Sequence, residues 1–145
     1  MDVRSVLAGK GGDVRSVLPW HTMAEVVQRL AEPPRVGALV VLGTDGTVVG
    51  MLGEPDVIAG LRTHGPAVFD LKAEQLMRRR VPTCGPGDPL TRVMRTMTTA
   101  RCRQLPVVEN GRLLGVVSQG DLVSARLREI ELEAAVLRDI AIVRS

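Results

Sequence analysis

The chain has 145 residues, 45% of them apolar and 24% charged, and its formal net charge is +3. These values are close to the average of folded domains and exclude a disordered chain, and the length suits one compact domain. No apolar run is near the roughly 18 residues that cross a bilayer, and the chain does not begin like a signal peptide, so we expect a cytoplasmic protein without a membrane partner.

A six-residue sequence, Asp-Val-Arg-Ser-Val-Leu, occurs at residues 2–7 and again at residues 13–18. The first copy stands before a glycine-rich stretch and is predicted to form a short helix that ends at glycine. The second copy is predicted to be extended because of its place in the repeat described below. The stretch Gly9-Lys10-Gly11-Gly12 lacks the spacing of a phosphate loop, so we interpret it as a turn.

The first predicted unit begins with the extended residues 16–19 and continues with a helix whose start, from Thr22 to Glu25, has the form of a capping box. Proline cannot continue a helix, so Pro33-Pro34 is predicted to end it. Two apolar runs then flank Asp45-Gly46, which indicates a β-hairpin, because both central residues of a type I′ turn need positive φ. Residues 50–56, Gly-Met-Leu-Gly-Glu-Pro-Asp, lead into another helix.

The same order of elements recurs in the second half of the chain. Extended residues 83–86 precede a helix for which Asp88 is the predicted N-cap and Pro89 the first helical residue. Asn110-Gly111 marks a second type I′ hairpin, and residues 115–121, Gly-Val-Val-Ser-Gln-Gly-Asp, repeat the first motif 65 positions later. The sequence therefore predicts an α/β (α+β) fold in which a β-α-β-β-α unit is used twice, the two units sharing a core.

Between the units, residues 71–77 are predicted to form a short helix that leads into Arg78-Arg79-Arg80. Two interpretations of these bases stay open: cations that favour the dipole at a helix C-terminus, or a contact with the phosphate of a bound ligand. Cys84 and Cys102 lack a CxxC or Cys/His pattern. Buried thiols are the favoured interpretation, and a disulfide or redox pair is the alternative.

The C-terminal segment has apolar residues at alternating spacings of four and three, which is typical of a packed helical stripe. The stripe consists of Val123, Leu127, Ile130, Ala134, Leu137 and Ala141. Two interpretations stay open. The stripe packs on its own module, or it packs against the same helix of a second copy, because Leu132, Val136 and Ile140 add apolar surface on another side.

Candidate chemistry is concentrated in the second seven-residue motif. Ser118 and Asp121 have the spacing of a capping box, in which a hydroxyl and a carboxylate satisfy free backbone N–H groups at a helix start. The same geometry places N–H donors and the positive end of a helix dipole beside a hydroxyl, which suits a phosphate. A carboxylate one turn into the helix can also accept both hydroxyls of a ribose, so a structural cap and a ligand site both fit these residues.

Residues 14–126 resemble a tandem pair of cystathionine-β-synthase-type (CBS) domains, the Bateman module. The resemblance rests on the doubled Gly-x-x-[Ser/Gly]-x-x-Asp motif, on Leu105-Pro106-Val107-Val108, and on Leu76-Met77 ahead of the second copy. It implies two CBS units packed about a pseudo-twofold axis, with two clefts. The implied divisions are unit 1 at 14–62, a linker with a short helix at 63–79, unit 2 at 80–126, and the rest of a C-terminal amphipathic helix with its tail at 127–145.

The resemblance also implies a function. CBS pairs are regulatory modules that bind adenine nucleotides, here AMP, ADP or ATP, and this one would signal to a separate effector protein. In the family the motif Asp holds ribose hydroxyls, the Ser or Thr contacts phosphate, and the first strand with the apolar-Pro-Val segment frames the adenine. The ligand-binding residues carried over to the second copy are Asp121, Ser118, Thr83, Cys84, Leu105 and Pro106, with Arg103 as a phosphate partner. Standalone modules of the family usually form homodimers, so a homodimer is expected.

The first copy departs from this pattern. Gly53 replaces the hydroxyl residue, Glu54 adds a negative charge, and Val36 aligns with Arg103, so that Asp56 alone is kept. Because charge-assisted contacts are the strong ones for a phosphate, we expect unequal sites. The second cleft is predicted to bind the nucleotide, and the first to be empty or to hold an uncharged, adenosine-like group.

Other classes of function find little support in the sequence. Nineteen bases against 16 acids make a weak field, and Trp20 and Phe69 are too few aromatics for stacking platforms, so no nucleic acid is expected. His21 and His64 lie beside no plausible nucleophile, and catalytic motifs and metal-ligand spacings are missing, so we expect neither an enzyme nor a required cofactor or metal. The alternative function is a ligand-independent dimeric interaction or redox/stress-response module that uses the two cysteines.

Overall fold

The computed structural model describes residues 1–10 and 14–144. In chain order the elements are α1 (Val3–Lys10), β1 (Ser16–Val17), α2 (Met23–Ala31), β2 (Ala38–Leu42), β3 (Val48–Gly53), α3 (Glu54–His64), a 3₁₀ helix (Gly65–Asp70), α4 (Ala73–Leu76), α5 (Leu90–Ala100), β4 (Gln104–Glu109), β5 (Arg112–Ser118) and α6 (Gln119–Arg144). This is the mixed α+β architecture that the sequence predicts, with two equivalent units and a long C-terminal helix.

Each unit is built on an antiparallel hairpin with an extended segment beside it. In unit 1, β1 pairs in parallel with β2, and β2 pairs antiparallel with β3. In unit 2, β4 pairs antiparallel with β5, and the predicted extended segment is reduced to one parallel bridge between Cys84 and Val107. Cys84 N–H donates to the Pro106 carbonyl at 3.0 Å, and Val108 N–H donates to the Cys84 carbonyl at 2.8 Å.

The two hairpin turns differ. Asn110 and Gly111 have φ of 52° and 78° and join directly paired strands, which confirms the predicted type I′ turn. In the first hairpin only Gly46 has positive φ, so the type I′ prediction at Asp45-Gly46 is wrong. The loop there is longer, and the Asp45 carboxylate accepts hydrogen bonds from the Thr47 N–H and hydroxyl, which fixes a different turn.

Helix starts and stops follow the sequence in part. Thr22 Oγ1 accepts the Glu25 N–H at 3.3 Å, and α2 ends at Ala31 before the prolines, as predicted. The prediction of Asp88 as N-cap is wrong, because Pro89 is the N-cap, with extended backbone, and α5 begins one residue later. The Asp88 carboxylate instead turns back to accept the Gly85 N–H at 2.9 Å.

The repeated six-residue sequence adopts two conformations, as predicted: the first copy lies in α1 and the second contributes Ser16–Val17 to β1. The predicted turn at Gly9-Lys10 is wrong, since α1 continues through both residues. The predicted turn at Gly11-Gly12 lies outside the described residues.

Each unit completes its core with a segment that precedes the other unit. Val3 and Val6 of α1 are buried in the core of unit 2, whereas Val68 and Ala73, which precede unit 2, are buried in the core of unit 1. A third cluster lies between the sheets, where Val40, Met51 and Ala38 of unit 1 pack with residues of β5 such as Val116. The two units therefore pack together as one body, because each core contains a segment from outside its own unit and a third cluster lies between the sheets.

The C-terminal helix α6 extends past this body. Only Leu122 and Ala125 of its residues are buried, while Val123, Leu127 and Leu137 of the stripe are 42%, 53% and 66% exposed. The interpretation that the stripe packs on its own module is therefore wrong. No helix in the described part of the chain has the length and apolar character needed to cross a membrane.

Candidate functional site

The candidate site lies where β5 ends and α6 begins. Ser118 N–H donates to Asp121 Oδ2 at 2.9 Å, and Asp121 N–H donates to Ser118 Oγ at 3.1 Å. This reciprocal pair is the predicted capping box. The Asp121 side chain is 25% exposed at the start of a 26-residue helix, and its Oδ1 has no hydrogen-bond partner among the described residues.

Lys10, the last residue of α1, completes this site from far away in the sequence. Its Nζ donates to Asp121 Oδ2 at 2.8 Å and to the Val116 carbonyl at 2.8 Å. Burial raises the pKa of Asp121, but the hydrogen bonds from Lys10 and Ser118 lower it more, so that the pKa lies below its ordinary value. The carboxylate is therefore ionised and charge-paired at neutral pH.

The other predicted ligand residues of unit 2 lie along the same sheet. The Arg103 carbonyl accepts the Gln119 N–H at 2.8 Å, which places Arg103, exposed in its side chain, beside the start of α6. Thr83 is exposed at the strand edge. The side chains of Cys84, Leu105 and Pro106 are buried, and the backbone N–H and carbonyl of Cys84 are already paired with Pro106 and Val108 in the sheet.

The cysteines are the free thiols of the structure, Cys84 buried and Cys102 half-buried. Burial, with a smaller contribution from the charge of Asp88, raises the pKa of the Cys84 thiol to about 11. A thiol that stays protonated at neutral pH is a poor nucleophile and a poor redox sensor. Cys84 therefore has the character of the buried thiol that the sequence favours.

The first motif repeats this geometry with a different base. Gly53 N–H donates to Asp56 Oδ2 at 2.7 Å, and Arg78 Nε donates to the same oxygen at 3.2 Å. The Asp56 carboxylate therefore also accepts a backbone N–H at a helix start and is paired with a base. Each base also contacts the backbone at the same position of the repeat. Arg78 exchanges two backbone hydrogen bonds of 3.0 Å with Met51, and Lys10 Nζ donates to the carbonyl of Val116, which is 65 positions after Met51.

The residues around the first motif reduce the difference in charge that the sequence predicts between the Asp56 and Asp121 clefts. The Glu54 carboxylate pairs with the guanidinium of Arg35, so its charge is partly compensated. Arg79 donates to the Glu74 carbonyl of α4 at 2.9 Å, as expected of a cation near a helix C-terminus, whereas Arg78 contacts Asp56. The absence of a hydroxyl at Gly53 and of a base at Val36 distinguishes the first motif from the second.

A separate groove lies on the outer helical face of unit 1. It encloses about 290 Å³ between α2 and α3, and its walls are mostly apolar. Its lining residues are Val27, Leu30, Ala31, Val57 and Ile58, with Arg35 and Glu54 at one edge. None of these lining residues belongs to unit 2, so the groove is not part of the candidate site at Ser118 and Asp121.

Sequence reasoning missed Lys10 at this site. The glycines around it favour a turn, and 111 positions separate it from Asp121. The contact depends on α1 packing against β5, where Gly115 leaves space for Leu7. The sequence indicates this contact only through the 65-residue repeat. The repeat places Gly50 and Gly115 at equivalent positions, where a strand without a side chain lets another segment pack closely.

Comparison with known proteins identifies the family. The CBS domain family matches residues 73–128. The crystal structure of a CBS-domain-containing protein from Agrobacterium tumefaciens superposes with a TM-score of 0.81 at 35% sequence identity, covering 86% of this chain and 92% of that one. The chain belongs to the CBS-domain family. CBS-domain proteins are typically regulatory modules and not enzymes, and this chain is a CBS-domain regulatory module.

Two curated relatives that the chain matches are longer than the chain. The chain is 34% identical over 110 residues to an uncharacterized protein of Thermofilum pendens and 28% identical over 134 residues to a mitochondrial CBS-domain-containing protein of Arabidopsis thaliana. The matches cover 74% and 88% of this chain. The chain spans only 34% and 65% of the length of these two relatives.

Proposed function

We propose that this CBS-domain protein binds an adenine nucleotide, AMP, ADP or ATP, in the cleft at Asp121 and signals its presence to a separate effector protein. The observation that carries the proposal is the arrangement at the start of α6. Ser118 and Asp121 are fixed by their mutual hydrogen bonds, while Asp121 Oδ1 is left without a partner among the described residues. The carboxylate is thus oriented, ionised and able to accept hydrogen bonds from the ribose hydroxyls.

The surroundings of Asp121 suit the rest of a nucleotide. The N-terminal end of α6 presents the positive end of a helix dipole, and the hydroxyl of Ser118 lies beside it. The backbone of Arg103 lies beside the start of α6 and its side chain is exposed, and Arg is well suited to phosphate recognition because its donors form a planar fork. The base would lie against the strand edge at Thr83, whose side chain is exposed, and over the buried residues Cys84 and Pro106.

We propose further that the two clefts are unequal. The Asp56 cleft retains a charge-paired carboxylate but lacks the hydroxyl of Ser118 and the guanidinium of Arg103. An added Cβ at Gly53 would lie 3.0 Å from the Gly37 carbonyl oxygen, so the backbone there is fitted to glycine. This cleft is empty or holds an uncharged, adenosine-like group.

A second copy of this chain is the partner that the exposed helical face fits best. Ile58 of α3 is 65% exposed, and Val123, at the equivalent position of α6, is 42% exposed. The stripe that begins at Val123 continues along α6 away from the body. An apolar strip of this kind on a helix is typical of a coiled-coil interface.

Charge patterning favours a parallel pair of α6 helices. In a parallel coiled coil, a residue just before one apolar position faces the partner residue five positions later. That rule places Glu133 opposite Arg138 of the second copy, and Arg126 opposite Glu131 of the second copy. Both pairs are of opposite sign, and each occurs twice in a symmetric dimer. We therefore propose a homodimer with α6 helices side by side.

A thermal-shift screen with AMP, ADP, ATP, NAD and S-adenosylmethionine tests the nucleotide proposal. A ligand at a hundred times its Kd is expected to stabilise the folded protein by about 2.7 kcal/mol, so the melting temperature rises by several degrees. We expect the shift with at least one adenine nucleotide and a loss of it in Asp121→Asn. No shift with any of these ligands would favour the ligand-independent interaction module.

A further inference from the structure

We infer that Lys10 is a ligand-binding residue of the Asp121 cleft, and that its charge is what allows a site containing a carboxylate to accept a phosphorylated nucleoside. The inference rests on the proposed function and adds to it the residue that sets selectivity for the number of phosphates. Lys10 belongs to α1, outside both CBS units, so the site is completed by a segment that the repeated motifs do not contain.

Lys10 compensates the negative charge of Asp121. Asp121 must be ionised to accept two ribose hydroxyls, yet its negative charge would repel the phosphate of the same ligand. Lys10 Nζ lies 2.8 Å from Asp121 Oδ2, and the pair has no net charge. Its bond leaves Oδ1 available, so Lys10 compensates the charge of Asp121 without occupying the oxygen that faces the ligand.

The ammonium group of Lys10 can also donate a hydrogen bond to a ligand. An ammonium group has three N–H donors, and two of them are engaged, by Asp121 and by the Val116 carbonyl. The Lys10 side chain is 40% exposed, and its third donor has no partner among the described residues, which leaves it for a ligand. A phosphate oxygen there would receive a charge-assisted hydrogen bond, which is stronger than a neutral one.

The pairing of a base with the motif carboxylate recurs in the other unit. Arg78 contacts Asp56 in the way that Lys10 contacts Asp121, and both bases come from segments that precede the opposite unit. Two segments of unrelated sequence thus place a base at equivalent positions of the two units. A base at the motif carboxylate is therefore part of the architecture of the pair.

The competing role for Lys10 is that of a latch, in which the ligand must displace the lysine to reach Asp121. The two roles predict opposite signs. If Lys10 competes with the ligand, its removal strengthens nucleotide binding. If Lys10 binds the ligand, its removal weakens binding, and the loss grows with the negative charge of the ligand.

The test is calorimetric titration of adenosine, AMP and ATP into the wild type, Lys10→Met, Lys10→Arg and Arg78→Met. For Lys10→Met we expect affinity for adenosine within about twofold of the wild type, a loss of about fivefold for AMP, and more than about tenfold for ATP. Lys10→Arg restores most of the ATP affinity because it keeps the charge. Arg78→Met leaves the Asp121 cleft unchanged and is the matched control.

Three outcomes would overturn the inference: tighter binding by Lys10→Met, an equal loss for all three ligands, or no loss for any. Far-ultraviolet circular dichroism and the melting temperature verify that α1 stays docked, since Val3 and Val6 hold it in the core. Failure of the proposed function is a separate result, because the wild type itself would then bind none of the three.

Discussion

At the scale of single residues, Ser118 and Asp121 serve the fold and the proposed site with the same atoms. Ser118 Oγ accepts the Asp121 N–H at 3.1 Å, which satisfies a backbone donor that the helix leaves free. We expect Ser118→Ala to lower the free energy of unfolding by about 1 kcal/mol and to weaken nucleotide binding. Chemical denaturation gives the first value and calorimetry the second.

Ser124→Ala is the control for this substitution. Ser124 is exposed within α6, so its replacement is expected to change stability by less than about 0.5 kcal/mol. Equal losses in the two variants would show that the Ser118 hydroxyl does not support the helix start.

The charge pair at Asp121 has its own signature in the pH dependence of stability. The folded-state pKa of Asp121 lies below its ordinary value of 3.8, so ionised Asp121 stabilises the fold at neutral pH. That contribution is present above the unfolded-state pKa and is lost as the pH falls through the folded-state pKa. Lys10→Met raises the folded-state pKa toward the ordinary value. We therefore expect its stability to fall less steeply than that of the wild type between about pH 5 and about pH 3.

Denaturant titrations across this pH range measure the effect. Asp2, Asp45 and Glu129 also have lowered pKa values, but they are common to both proteins, so the difference between the curves reports on Lys10 and Asp121. Parallel curves would mean that the ion pair does not form in solution.

At the scale of elements, Gly50 and Gly115 allow a neighbouring segment to approach the two equivalent strands. A Cβ at Gly50 would lie 2.8 Å from the backbone oxygen of Arg78, whereas a Cβ at Gly115 would meet only the end of the Leu7 side chain, at 2.7 Å. The Arg78 backbone is held by its bridge to Met51 and cannot move aside, whereas the Leu7 side chain can change its rotamer. We expect Gly50→Ala to cost about 1–3 kcal/mol and Gly115→Ala less than about 1 kcal/mol.

Urea denaturation of the two variants is the measurement. The pair is matched, because both glycines have the same place in the repeat and both substitutions add one methyl group. A larger cost at Gly115 would contradict this packing of α1 against β5.

Local sequence predicted elements well where the chemistry of a turn or cap is short-ranged. Asn110-Gly111 and the capping box of Ser118 and Asp121 involve neighbours within three residues, and both predictions are confirmed. Asp45-Gly46 has a similar dipeptide but a different turn, because the Asp45 carboxylate bonds Thr47 instead. Asp88 likewise fails as an N-cap, since its carboxylate accepts the N–H of Gly85, three residues before it, and not one in the first turn of α5.

At the scale of the whole molecule, the repeat predicted two packed units but not the exchange of segments between them. Nothing in the sequence around Lys10 indicates a partner 111 positions away, because the contact arises only when α1 enters the core of the distant unit. The predicted inequality of the clefts likewise rests on aligned residues alone. Arg78 and Arg35 supply charge that such an alignment does not show.

The proposed homodimer predicts how dimerisation responds when the charges at positions 133 and 138 of α6 are reversed. Glu133→Arg or Arg138→Glu alone turns two attractive contacts of a parallel pair into repulsive ones, so we expect each to weaken dimerisation by about tenfold or more. The double variant restores opposite signs and is expected to recover wild-type affinity within about twofold. Sedimentation equilibrium gives the dissociation constants.

Asp139→Arg, outside the stripe, is the control and should leave dimerisation unchanged. A double variant as weak as the single variants would contradict the parallel register. A wild type that is monomeric at micromolar concentration would contradict the dimer itself.

The central claim is that one adenine nucleotide binds at Asp121, and calorimetric titration of AMP and ATP into the wild type, Asp121→Asn and Asp56→Asn tests it most directly. Asparagine keeps a carbonyl oxygen that accepts the Ser118 N–H, so the helix start is preserved while the charge is lost. We expect one site per chain in the wild type, binding at least about tenfold weaker in Asp121→Asn, and no change in Asp56→Asn. Two equivalent sites, or unchanged binding by Asp121→Asn, would contradict the claim.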